Sequence, residues 1–308
     1  MSNTNATPAY YSGRRPSPTT SIVTPPEAKL AALEFLQQLA TEVSKGTVDL
    51  PCFPNVVLQI REALADPKTT TEQTVTIVGV EPRLAARLLQ TANSAAFNPS
   101  GRPLTDLRSA ITRLGLQLVQ SAAMAFAVQQ MKDEQSLRSI AKPLSELWKE
   151  CISVASICQV VARRTKVSPD EAFLTGLLHG IGRLYIMVRA VSAANSFGNN
   201  QALMEMVSGW HASIGKAVLE NWGFAEEMSD AVGEQGDTER RRKNDADLSD
   251  VLITSVLLSE ALKDPVQGAI ATETISAFQR VGLDQQGCAA VLKHAEYQLA
   301  SLHDALGC

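Results

Sequence analysis

The chain has 308 residues, 45% of them hydrophobic, enough for roughly two domains of ~150 residues with a substantial core. A formal net charge of −4 and a pI near 5.7 argue against a protein whose main task is holding nucleic acid. No apolar run reaches the ~20 residues needed to span a bilayer; even Leu116–Met131 is interrupted by Gln117, Gln120, Ser121, Gln129 and Gln130.

Residues 1–23 carry Pro8, Pro16 and Pro18 among Ser, Thr and Asn, which predicts a flexible tail. The same stretch lacks the apolar core of a secretory signal. With five cysteines and no Cys-x-x-Cys pair, it points to reduced thiols and a cytoplasmic protein. Cys151 and Cys158, seven apart on one helical face, read as small buried apolar residues.

Thr24-Pro25-Pro26-Glu27 is a capping-box start for a helix over 24–46, with Leu30, Leu33, Leu36, Ala40 and Val43 on one face. Gly46 ends it. After the extended Pro51-Cys52-Phe53-Pro54 segment, Val56, Ile60 and Leu64 predict a short helix stopped by Asp66-Pro67. Thr70-x-x-Gln73 caps the next helix, and Pro82 opens another that runs to Asn93-Ser94. Thr105 is expected to cap a helix that Gly115 breaks, and a further one begins at Leu116.

The polar stretch 132–139 divides the chain. Beyond it, helices are predicted over 143–165, 169–179, 181–191, 200–222, 225–234, 248–262, 269–281 and 284–306, with 236–247 as a charged surface loop. No segment sustains period-2 alternation, so the expected fold class is all-α.

Several motifs invite function. The pair of helices around Gly115 has the outline of a helix-turn-helix, which would make the chain a DNA-binding regulator. No Lys or Arg lies between Arg113 and Lys132, however, so the second helix reads as core. The run Arg240-Arg241-Arg242-Lys243 is flanked by Asp237, Glu239, Asp245, Asp247 and Asp250, which predicts a solvated loop. Asn93-Ser94 reads as a cap with local hydrogen bonds. Phosphate-loop, nucleophile-elbow and His-Glu-x-x-His signatures are missing.

In chain order, the motifs are Leu50-Pro51 with Phe53-Pro54, Glu81-Pro82-Arg83-Leu84, and 88–95 containing Asn93 and Ser94. Then come 107–115, Leu147-Trp148, Gly176-Leu177-Leu178-His179 with Ile181-Gly182, and His211 with Ile214-Gly215 and Trp222. Together they resemble the HDOD domain, a non-catalytic relative of the HD phosphohydrolases. The resemblance implies an HD-domain-like helical bundle over 48–245, divided into an N-terminal half (48–131) and an HD-like half (140–245). Residues 246–308 form a C-terminal helical extension.

It also implies bacterial signalling: binding of a protein partner or small ligand, with the cyclic-di-GMP pathway among the contexts in which such modules occur. No nucleic acid, membrane or cofactor is expected. The groove between the two halves is the expected binding surface. Where an HD enzyme has its His-Asp doublet, this chain has His179-Gly180, and Gly cannot ligate a metal. Glu150 falls where the early His would be, His211 survives, and Glu234-Gln235 replaces a later His pair. The residual pocket is therefore expected to comprise Glu150, His179, His211, Glu234 and Gln235, with no metal and no catalysis. Two readings compete: the histidines satisfy buried polar groups, or Glu150, His179, His211 and Glu234 form a rewritten mononuclear site of a metal-dependent phosphohydrolase.

Overall fold

Local capping chemistry decides where the first helices start. In the computed structural model, which describes residues 26–46, 48, 50, 55–66, 68–94, 97–98, 101–192, 201–241, 245–263 and 274–306, the chain opens with α1 (Pro26–Ser44) and α2 (Asn55–Ala65). Then α3 (Thr71–Gly79) begins on a complete capping box, with Thr70 and Gln73 each bonding the other's backbone. Next come α4 (Pro82–Asn93), α5 (Leu107–Leu114) and α6 (Leu116–Asp133). Glu81 caps α4 through the Arg83 amide. The cap of α5 is Asp106, which accepts from the Ser109 amide at 2.8 Å, and not Thr105 as expected. An ionised carboxylate is the stronger acceptor at a helix N-terminus. Gly115 separates α5 from α6 at φ 75°, a backbone conformation few residues other than glycine adopt.

The polar divider carries structure of its own: α6 runs on to Asp133, and a 3-10 helix, Gln135–Ile140, leads into the second half. That half contains α7 (Ala141–Ala162), α8 (Pro169–Leu178), α9 (Ile181–Ser192), α10 (Gln201–Asn221) and α11 (Glu226–Glu234). It is followed by α12 (Leu248–Lys263), α13 (Ser276–Arg280) and α14 (Gln285–Leu306). No strand occurs among the described residues; the protein is all-α. The expected tail 1–23, and 269–273 of the expected helix 269–281, lie outside the described residues.

The middle of the second half is α7. Leu144, Leu147, Trp148, Cys151, Ile152, Val154, Ala155, Ile157, Cys158 and Val161 bury it on nearly every side, the pattern of a helix surrounded by other helices. It packs against α8, α12 and α14. The terminal helices fold back over the body: α14 also touches α4 and α6 of the first half, and α1 lies against α10. Tyr185 donates to Glu42 at 2.9 Å, Arg189 pairs with the same carboxylate, and Asn221 donates to the Val43 carbonyl, fastening α1.

At Gly182 the helices α9 and α10 nearly touch. A Cβ there would stand 1.9 Å from the His211 carbonyl oxygen and 2.7 Å from the Gly215 amide nitrogen. Only a residue without a side chain permits that crossing. Trp148 and Trp222 are both buried core residues.

No single helix among the described residues is long and apolar enough to cross a membrane. The bent pair α5–α6 passes by length and composition alone, and α6 contributes Val119, Ala122, Ala123 and Ala127 to the buried core.

Candidate functional site

His179 sits at the turn between α8 and α9 and is 0% exposed. Its Nδ1 lies 2.7 Å from the Gly176 carbonyl and its Nε2 lies 3.0 Å from Arg183 Nη2. A carbonyl can only accept and a guanidinium can only donate, so these contacts fit a neutral ring with its proton on Nδ1. Burial works against an imidazolium here, while Cys151 and Glu150 favour one and would raise the ring's pKa to about 9. The Arg183 donor, facing the Nε2 lone pair, decides for the neutral form. Gln235 is buried below the turn and ties it down, donating to the His179 carbonyl at 3.1 Å and to Val232 at 2.8 Å.

Glu150, on α7, is the carboxylate that meets this histidine: Oε1 is 3.7 Å from His179 Nε2 and accepts from Arg183 Nη2 at 2.5 Å. Its other oxygen accepts from Lys263 Nζ at 2.7 Å. Burial by itself would raise the acid's pKa, but Arg183 and Lys263 hold it well below the ordinary carboxylate range. Arg183 was not singled out from the sequence, although it lies four residues after His179, the spacing at which helical neighbours meet. Lys263 gave no such signal. It arrives from α12, more than a hundred residues away in sequence, and only tertiary packing brings it in.

The other residues expected in the pocket go elsewhere. Glu234 pairs with Arg240 Nε at 2.7 Å, and His211 Nδ1 lies 3.1 Å from the Ser208 carbonyl. Among the described residues no group of three or more His, Cys, Asp or Glu side chains is placed to hold a metal ion. Asn93 acts as a backbone clamp: its amide nitrogen donates to Leu89 and Leu104 carbonyls, and its oxygen accepts from the Leu104 amide at 2.7 Å. Ser94 caps the end of α4, its hydroxyl donating to the Thr91 carbonyl.

Gly180 lies against side chains of α7. A Cβ on it would fall 2.6 Å from Cys151 Sγ and 2.9 Å from Leu147 Cδ1. Beside it an apolar hollow is lined by Met124 of α6, Leu147, Trp148 and Cys151 of α7, and Leu177 and Leu184 of α8 and α9. The hollow is narrow, with a cavity volume of about 20 Å³. It lies where the first half meets the second. The residues at the former doublet do not fit a divalent ion: no carboxylate projects from position 180, and a guanidinium fills the gap between His179 and Glu150.

Arg240 is half-buried, binding Asp247 and Asp250 as well as Glu234. Asp250, fully buried on α12, receives Arg240 Nη1 at 3.0 Å, Arg280 Nη2 at 2.6 Å and Nε at 2.8 Å, and the Asp247 amide. This network joins the loop, α12 and α13. Of the basic run, Arg240 is neutralised by these carboxylates, while Arg242 and Lys243 lie outside the described residues.

The profile of the HDOD domain matches residues 50–238. The chain belongs to the HDOD family. Among solved structures, the HDOD chain resembles one from Shewanella amazonensis provisionally named a metal-dependent phosphohydrolase. That match has a TM-score of 0.68 and 23% identity, covering 88% of this chain and 98% of the other. An HDOD domain protein of unknown function from Geobacter sulfurreducens gives a TM-score of 0.58 at 21% identity, over 89% and 99% of the two chains. A chain from Marinobacter aquaeolei, provisionally named a signal transduction protein, gives 0.59 at 20%, over 91% and 66%. At these identities the likeness is one of fold. An uncharacterized protein of Treponema pallidum is 22% identical over 206 residues, 63% of this chain; the match spans 39% of that relative's length.

Proposed function

We propose that this HDOD chain is a regulatory module that binds a signalling protein or small ligand and performs no catalysis. The observation that carries the reading is position 180. The doublet's carboxylate is replaced by hydrogen, and the space a side chain would need belongs to Cys151 and Leu147. Metal-assisted hydrolysis requires several ligands converging on an ion that activates water. Here His179 and Glu150 are engaged by Arg183 and Lys263. The binding surface is the junction of the halves, where the apolar hollow offers an anchoring pocket for one apolar group. A role in a cyclic-di-GMP pathway and a cytoplasmic setting belong to the same reading.

The test is metal analysis of the purified chain, together with hydrolysis assays on bis-p-nitrophenyl phosphate and cyclic-di-GMP with added Mn2+ and Fe2+. The expected result is no stoichiometric metal and no turnover above buffer. Turnover that disappears in His179→Ala would establish the phosphohydrolase named for the Shewanella structure instead.

A further inference from the structure

We propose that Arg183 is a built-in cation standing in for a metal ion, and that its guanidinium is what excludes divalent metals from the His179–Glu150 gap. This goes beyond the loss of the carboxylate at position 180, because it assigns the vacated position to a particular group of this chain.

The geometry is that of a ligand pair with the wrong cation between them. His179 presents Nε2 with its other nitrogen anchored on a backbone carbonyl, at 2.7 Å, the arrangement that orients metal-binding histidines. Glu150 Oε1 faces that lone pair across 3.7 Å. Two ligands each about 2.1 Å from one ion stand about 3.0–3.4 Å apart, so the gap is within a few tenths of an ångström of holding one. Arg183 Nη2 occupies it, 2.5 Å from the carboxylate oxygen and 3.0 Å from the imidazole nitrogen.

A guanidinium keeps its charge at any physiological pH, so it neutralises the half-buried Glu150 carboxylate permanently. Lys263, 2.7 Å from the second oxygen, completes the job from α12. Arriving divalent metal would have to expel one cation and compete with another. The arrangement therefore retains the electrostatics of a filled site while removing water activation.

The inference predicts that a ligand at position 183 converts the pocket into a metal site. In Arg183→His the new imidazole would join His179 and Glu150. Equilibrium dialysis at pH 7.5 with Zn2+ should find one equivalent bound at least tenfold more tightly than by the wild type. Co2+ should give visible absorption bands of nitrogen–oxygen coordination. Adding His179→Ala should return uptake to the wild-type level. Arg183→Ala, which only removes the guanidinium, should bind Zn2+ at least threefold more tightly than the wild type and covers the case in which the histidine variant misfolds. Wild-type uptake as tight as either variant's would overturn the proposal, as would a cooperatively melting Arg183→His or Arg183→Ala that gains no affinity. Either failure leaves the non-catalytic reading intact so long as the wild type shows no turnover; metal-dependent turnover by the wild type would end that reading by itself.

Discussion

Restoring the missing carboxylate is the sharpest perturbation this chain offers, because two local effects oppose and their sizes differ. Gly180 is the N-cap of α9, its carbonyl accepting from the Leu184 amide at 3.0 Å. Asp is preferred over Gly at an N-cap by only a few tenths of a kcal/mol. Against this, the new Cβ would lie 2.6 Å from Cys151 Sγ and 2.9 Å from Leu147 Cδ1, and overpacking of this kind costs about 1–3 kcal/mol. A carboxylate on that Cβ starts among Cys151 and Leu147 at the edge of the apolar hollow, where burial of an unpaired charge costs several kcal/mol, or forces protonation.

Sterics and desolvation therefore dominate. Gly180→Asp should lose about 4 kcal/mol or more, and Gly180→Ala, which adds only the overpacking, about 1–3 kcal/mol. In urea unfolding with a slope of about 3 kcal/mol/M, the Asp variant's midpoint should fall by more than about 1 M. Adding Cys151→Ala removes the nearest obstructing atom and should recover about 1 kcal/mol as a favourable coupling. Stability within about 0.5 kcal/mol of wild type for Gly180→Asp would refute the placement of position 180 against α7.

Further outcomes follow from the polar groups. Asp250→Ala leaves the half-buried Arg240 and Arg280 without their shared carboxylate, though Arg240 keeps Glu234 and Asp247, and should cost about 2–3 kcal/mol, read as a fall in Tm of about 4 °C or more. Glu150 has its folded pKa depressed by Arg183 and Lys263 below an ordinary value of 4.5. Its contribution is thus present above that pH and is lost as pH falls towards the folded value; Glu150→Gln should flatten the stability–pH curve between pH 5 and 3. Asn93→Ala removes three bonds to backbone and should cost about 1–3 kcal/mol, with faster hydrogen exchange at the Leu104 amide. Burial raises the Cys158 thiol to about 12, so a thiol reagent at pH 8 should leave it unmodified until urea unfolds the chain, as peptide mass spectrometry will show.

What the sequence alone determined is local or periodic. Capping pairs such as Thr70 with Gln73, the break at Gly115 and the apolar faces of the helices act over a few residues, so the all-α fold was legible from them. The family motifs identified the His179 turn and the absence of a carboxylate at 180, because a missing functional group needs no coordinates to be seen. Tertiary structure decided which charges meet. His179 and Glu150 converge while Glu234 pairs with Arg240 instead, since side-chain direction depends on how α7, α9 and α11 are rotated against one another. It also brought Lys263 and Arg280 in from beyond the family-matched segment and drew Arg240 into ion pairs with three carboxylates. Electrostatic partners chosen across long stretches of chain follow from packing, and no local spacing in the sequence encodes them.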